Sequence, residues 1–178
     1  MQPTVREMSP AAGPSFAGAA LFIALIVLFS MQDSHPAPIL LISVVAIAAH
    51  LVLFPVASAL TAPAWARAAG YSWLAIDVML NGATLNGVPM ETIMPLRLGG
   101  HLLAGTWIVM ASRELGGTAG VVGFVLGPLL IVHALLAPWL PVWVIYPPFL
   151  LIPIWLLLVG RSQIVPVLSP RVGMEGTA

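Results

Sequence analysis

Six apolar runs of roughly membrane-crossing length fill this chain, and no link between them is long enough to hold a folded domain. A transmembrane helix needs about 20 mostly apolar residues. The runs predict helices over Pro14–Met31, Pro38–Leu60, Tyr71–Val88, Leu96–Ser112, Thr118–Ala137 and Val142–Gly160. The links are built from turn and breaker residues: "QDSHPAP", "TAPAWARAAG", "VPMETIMP", "RELGG" and "APWLP". The expected fold is a single all-α membrane domain, a bundle of six transmembrane helices. The tails, 1–13 and 161–178, are rich in Pro, Gly and Ser and are expected to be loose. Only 7% of the residues are charged and 60% are hydrophobic, against about 25% charged in a soluble domain.

The first run is expected to stay in the protein as a span. "MQPTVREMSPAAGPSF" carries one Arg and one Glu ahead of it, and the run ends in "FSMQDSHP" with no A-x-A cleavage site, unlike a secretory signal. The arginines then set the topology. With six spans, Arg6, Arg67, Arg113, Arg161 and Arg171 fall on one side and Arg97 alone on the other. By the positive-inside rule both termini are cytoplasmic, and the "PMETIMPLR" link faces outward. All basic residues are Arg, a bias that suits a GC-rich bacterial genome, so the expected location is a bacterial inner membrane. The formal net charge is zero and no basic face exists, which argues against a nucleic-acid partner. The expected partners are the lipid bilayer and other membrane subunits. The absence of Cys excludes disulfides, thiolate catalysis and cysteine metal sites.

Ionisable groups at membrane depth are costly and mark candidate sites. His50, Asp77, His101 and His133 qualify. At ~1.5 Å per residue, His50 lies ~12 Å from the cytoplasmic edge of a ~30 Å core and Asp77 ~9 Å from it. The two are at similar depth on consecutive helices, so a buried Asp–His pair is expected, each offsetting the other's desolvation. Asn81 and Thr84 follow Asp77 at i+4 and i+7 and share its face. Pro55 is expected to kink the second span. This inner group, Asp77, His50, Asn81 and Thr84, reads either as a proton or small-ligand site or as a satisfied hydrogen-bond network.

The second group lies nearer the outside. His101 and His133 are each within ~7 Å of the outer edge on antiparallel neighbours. Arg97 precedes His101 by one turn, so Arg97, His101 and His133 form an expected outer pocket. Two facing histidines can ligate haem b iron axially, bind a divalent metal or simply hydrogen-bond. Gly99 and Gly100 would leave room for a flat macrocycle, and Arg97 could meet a propionate or another anion. The plainer account has Arg97 snorkelling to the interface and the glycines packing helices. Gly99, Gly100, Ala104 and Gly105 on span four and Gly120, Gly123 and Gly127 on span five favour close helix approach.

Elsewhere the signals are structural. His35 falls in an outer link. Trp65, Trp73, Trp107, Trp139, Trp143 and Tyr146 fall near expected interfaces as belt residues do, whereas Trp155 lies deeper. Pro147, Pro148 and Pro153 interrupt span six, read either as a broken helix lining a cavity or as tolerated kinks in a last helix. No nucleophile elbow, zincin motif, P-loop or dinucleotide fingerprint occurs, so the chain reads as non-enzymatic.

From "PLRLGGHLLAGTWIVMAS" through "PIWLLLVGR", the second half of the chain resembles uncharacterised multi-pass membrane proteins of GC-rich bacteria. The shared features are an Arg-led small-residue helix with a Trp, a glycine-rich helix and a closing helix ending in W-L-L-L-x-G-R. That resemblance implies no activity. In size, helix number and terminus placement the chain is also similar to substrate-binding subunits of energy-coupling-factor transporters. Those dock through small residues on their first helix, a spacing that Ala20 and Ala24 offer, although the outer loops here are short for capping a vitamin. The leading expectation is binding or transport of a small ligand or protons, with Asp77 protonatable and His50 its partner. A haem-binding electron-transfer or anchor subunit and a structural subunit of a larger membrane complex are the alternatives.

Overall fold

The computed structural model describes residues 5–31, 39–141, 144 and 146–167. Among the described residues, seven α-helices run in order: α1 Ala12–Ser30, α2 Ile39–Leu51, α3 Phe54–Ala59, α4 Ala64–Leu85, α5 Met90–Leu115, α6 Gly117–Leu136 and α7 Tyr146–Ser162, with a 3-10 turn, Ala137–Trp139, after α6. Four segments are long and apolar enough to cross a membrane: Ala12–Ser30, Ile39–Ala59, Met90–Leu115 and Gly117–Trp139, with mean hydropathy from 1.2 to 2.7 over their most apolar stretches. Helix α4 has the length, at 22 residues, but carries Arg67, Asp77, Asn81 and Thr84. Helix α7, at 17 residues, is ~25 Å long.

Each helix packs on the next along the chain, and α7 returns to α1. The α2–α3 segment counts as one broken rod, so the helices close into a six-membered ring. Its outer surface is apolar: Leu40, Met79, Leu96, Val121, Leu135 and Leu150 are all exposed. So continuous an apolar exterior suits lipid and not water. Its interior is filled by side chains. Trp107 and Trp155 meet edge to face with ring centroids 5.6 Å apart, Trp73 lies 6.0 Å from Trp107, and Leu53, Leu74, Ile108, Leu126 and Leu156 close around them. Trp73 and Trp107 are therefore core residues and not belt residues. Trp65, Trp139 and Tyr146 are exposed in the manner of a belt. Trp143 and His35 lie outside the described residues.

Several element boundaries differ from the sequence expectation for local reasons. Helix α4 begins at Ala64, seven residues before the expected Tyr71, because "AWARAA" is strong helix-forming sequence with no breaker after Pro63. Most of the supposed link is its first two turns. Helix α5 likewise begins at Met90, directly after Pro89, so the "PMETIMPLR" link is mainly helix. What remains between α4 and α5 is a tight reversal through Gly87, at φ 79°, a backbone region that glycine enters without strain. The second span is broken and not merely kinked. Pro55 has no N–H for the carbonyl of Leu51, and α2 stops at Leu51, one residue past His50. In α7, Pro147 and Pro148 fall in the first turn, where no N–H is needed, so of the three prolines only Pro153 is interior.

The tails expected to be loose come together in part. Val5–Met8 pairs antiparallel with Ile164–Val167, Val5 opposite Val167 and Met8 opposite Ile164. The N–H of Ser9 donates to the carbonyl of Gln163 at 3.1 Å. Helices α1 and α7 are neighbours, so their outer extensions leave the bundle side by side, and β-branched residues in both favour extended pairing.

Candidate functional site

Helix α4 buries Ala66, Gly70, Trp73, Leu74, Asp77, Leu80 and Asn81. Their three- and four-residue spacing is one helical face, so the pattern that seats Trp73 in the core also turns Asp77 inward. Helix α2 buries Ser43, Ala46, Ala49 and His50 on its facing stripe. The two faces bring His50 Nε2 to 3.4 Å from Asp77 Oδ2, with side-chain exposures of 8% and 5%. The imidazole is held by its neighbours, with Phe22 of α1 5.6 Å away and Trp73 5.5 Å away, both edge to face.

Hydrogen bonding fixes the tautomer of His50. Its Nδ1 lies 2.7 Å from the carbonyl oxygen of Ala46. A carbonyl can only accept, so Nδ1 carries the hydrogen. Nε2 then faces the carboxylate either as a bare lone pair or with a shared proton between them. Two lone pairs at this distance repel in a medium of low dielectric, and a proton between them would relieve that repulsion.

Arg97 joins this same group. Its Nε lies 3.7 Å from Asp77 Oδ1 and its Nη2 donates to Asn81 Oδ1 at 3.4 Å. Asn81 in turn donates from Nδ2 to the backbone carbonyl of Asp77 at 2.7 Å, which fixes the amide that receives Arg97. The expected separation into an inner group and an outer pocket is thus incomplete, because Arg97 bridges them. Asp77 and Arg97 lie equally far along the chain from Gly87, so they fall in register across the α4–α5 hairpin. Gly100 completes the contact: a Cβ there would lie 3.6 Å from Trp73 Cδ1 and 4.0 Å from Asp77 Oδ2. Thr84 does not take part. Its hydroxyl donates to the carbonyl of Leu80 on its own helix at 3.0 Å.

His101 and His133 face each other across α5 and α6 with ring centroids 6.0 Å apart. Neither Nδ1 has a hydrogen-bond partner among the described residues, and Arg97 Nε has none either. Arg97 and His101, four residues apart, share one face of α5.

The packing beside these histidines decides against haem. One turn below His101, a Cβ on Gly105 would lie 2.5 Å from the carbonyl oxygen of Gly127. The α5 and α6 backbones touch there, so no slot for a macrocycle opens between the helices that carry the two rings. Gly100 faces α4 and not His133, and Gly99 faces open space, so neither glycine clears such a slot. Protein expressed with haem in excess is expected to show no Soret band. A band that disappears on His101→Ala would overturn this. For a divalent metal the donors are too few: among the described residues no three His, Asp or Glu side chains come together to hold one.

Three participants escaped the sequence reading: Phe22 and Trp73, which clasp His50, and Gly100, which lets α5 approach Asp77. Position alone carries little signal for the first two. Arg97 was expected in the outer pocket, and the hairpin register about Gly87 would have placed it against Asp77. No family model, no curated protein and no solved structure matches the chain.

Proposed function

We propose that this chain is a multi-pass inner-membrane protein whose buried His50–Asp77 pair takes up and releases a proton. The observation that carries the reading is the commitment of His50 Nδ1 to the Ala46 carbonyl, which turns Nε2 to the Asp77 carboxylate as the place for a proton. Releasing it leaves two lone pairs opposed, so release requires His50 to rotate or exchange its tautomer. The break between α2 and α3 directly after His50 provides local freedom for that movement. The aromatic interior favours a proton over a bulky solute, since a proton can pass along side chains and transient water without an open channel. Six crossings with both tails in the cytoplasm fit the arginine distribution. The meeting of the tails at one end of the ring supports an even number of crossings.

The test is proton flux into liposomes, followed with an enclosed pH-sensitive dye under an imposed gradient. Asp77→Asn is expected to reduce flux to that of protein-free vesicles. The amide preserves the fold, since it accepts from Arg97 through oxygen and donates to His50 Nε2 through nitrogen. Flux unchanged in a folded Asp77→Asn protein removes the proton-handling role and leaves the polar group as a packing device.

A further inference from the structure

We infer that the outer end of this site binds a singly charged oxyanion, and that it does so together with the proton on His50–Asp77. The proposal rests on the proton-handling reading and adds the ligand class.

Charge counting leads to it. With its proton, the His50–Asp77 pair is neutral whichever atom holds the hydrogen. Arg97 then leaves the group with one net positive charge. Without the proton, Arg97 and the Asp77 carboxylate cancel. A buried net charge is costly and an internally balanced one much less so. The two low-energy states are therefore the unprotonated site with His50 turned away from Asp77, and the site holding both a proton and a monoanion; the arrangement described above, with a proton and no anion, carries one net positive charge open to a monoanion.

The donors for that anion are in place. A guanidinium has five N–H groups in a fork that matches a carboxylate or phosphate. Arg97 makes one hydrogen bond among the described residues, to Asn81. Its Nε is buried and, at 3.7 Å from Asp77 Oδ1, makes an ion pair but no hydrogen bond; Nδ1 of His101, one turn along the same face, and Nδ1 of His133 opposite are buried without a hydrogen-bond partner among the described residues. The Arg97 side chain is 18% exposed, so it can be reached from outside the bundle. The groups facing Asp77 are His50 from α2 and Arg97 and His101 from α5, with His133 of α6 behind His101. Protonation of Asp77 loosens the hold of its carboxylate on Arg97 and turns the guanidinium to the anion.

The anion has two sources with the same chemistry, a soluble carboxylate or the phosphodiester of an acidic lipid. The full chain in an uncharged maltoside detergent is titrated with acetate in one arm and with short-chain phosphatidylglycerol in the other. Calorimetry reads binding, and an indicator dye in weakly buffered solution reads proton uptake. The expected result is binding in at least one arm with uptake of about one proton per anion, so that affinity weakens about tenfold per pH unit once the site has lost its proton. Arg97→Gln is expected to lose binding. Asp77→Asn is expected to keep binding without proton uptake, and His101→Gln/His133→Gln to keep the uptake, which separates Asp77 from the histidines as its source. Absence of binding in both arms overturns the proposal. So does binding without proton uptake, binding that survives Arg97→Gln, or uptake that survives Asp77→Asn. Loss of liposome flux in Asp77→Asn combined with any of these leaves the proton reading standing and removes the anion alone.

Discussion

Gly105→Ala is expected to destabilise the protein by about 3 kcal/mol, the upper end of the range for overpacking a tight interior. The added Cβ would lie 2.5 Å from the carbonyl oxygen of Gly127, 2.7 Å from Ile131 Cγ1 and 3.3 Å from the backbone nitrogen of Ile131. Two of those three atoms are backbone, so no rotamer change relieves the clash and α6 must move off α5. The same seam continues downward. A Cβ at Gly120 would meet the carbonyl oxygen of Ser112 at 2.8 Å, and one at Gly123 would overlap Ser112 Oγ. Separation at Gly105 therefore disturbs several turns together. Gly99→Ala is the control. Nothing lies within 4 Å of its Cβ position, and alanine adds up to about 1 kcal/mol of helix propensity. Unfolding in mixed detergent should give a lowered midpoint for Gly105→Ala and an unchanged or raised one for Gly99→Ala. Equal midpoints for the two variants would refute the glycine seam.

The seam was visible in the sequence because it depends on local spacing: Gly120, Gly123 and Gly127 fall on one face of any helix drawn through them. Helix α6 was legible for the same reason, expected over Thr118–Ala137 and formed over Gly117–Leu136. The Asp77–His50 contact could be anticipated from depth, since two costly groups on adjacent rods gain by meeting. Other features were hidden by what hydropathy cannot weigh. An apolar window places a tryptophan at an interface or in a core with equal ease; Trp107 went to the core where Gly70 clears a seat, a Cβ there lying 2.7 Å from the Trp107 ring, and Trp73 lies on the buried face of α4. The position of Arg97 was misjudged because the link before it was read as loop. Once Met90–Pro95 is helical, Arg97 lies nearly two turns inside α5 and not at its mouth, and its charge turns to Asp77.

Removing one charge from that group should cost far more than removing two. Asp77→Leu leaves Arg97 with Asn81 as its remaining hydrogen-bond partner among the described residues and takes away the carboxylate 3.7 Å from its Nε. Breaking a buried pair in this way costs about 3–5 kcal/mol. Because Arg97 is 18% exposed and can snorkel outward, the lower end of that range applies. Arg97→Met should cost less than Asp77→Leu, because the shared proton keeps His50 and Asp77 neutral as a pair after the guanidinium is gone. In the double variant, His50 can remain neutral through its Nδ1–H bond to Ala46 and no net charge is left. Its stability should return close to that of the parent, as expected when a buried ion pair is replaced whole by apolar residues. The resulting coupling energy should approach the upper end of the 0.5–3 kcal/mol found for residues in contact, about 3 kcal/mol. A double-mutant cycle on the unfolding midpoint in detergent reads it directly. Simple additivity would mean that the Arg97–Asp77 contact contributes nothing to stability. A larger loss for Arg97→Met than for Asp77→Leu would mean that no proton lies between His50 and Asp77, and the charge count on which both functional proposals depend would fail with it.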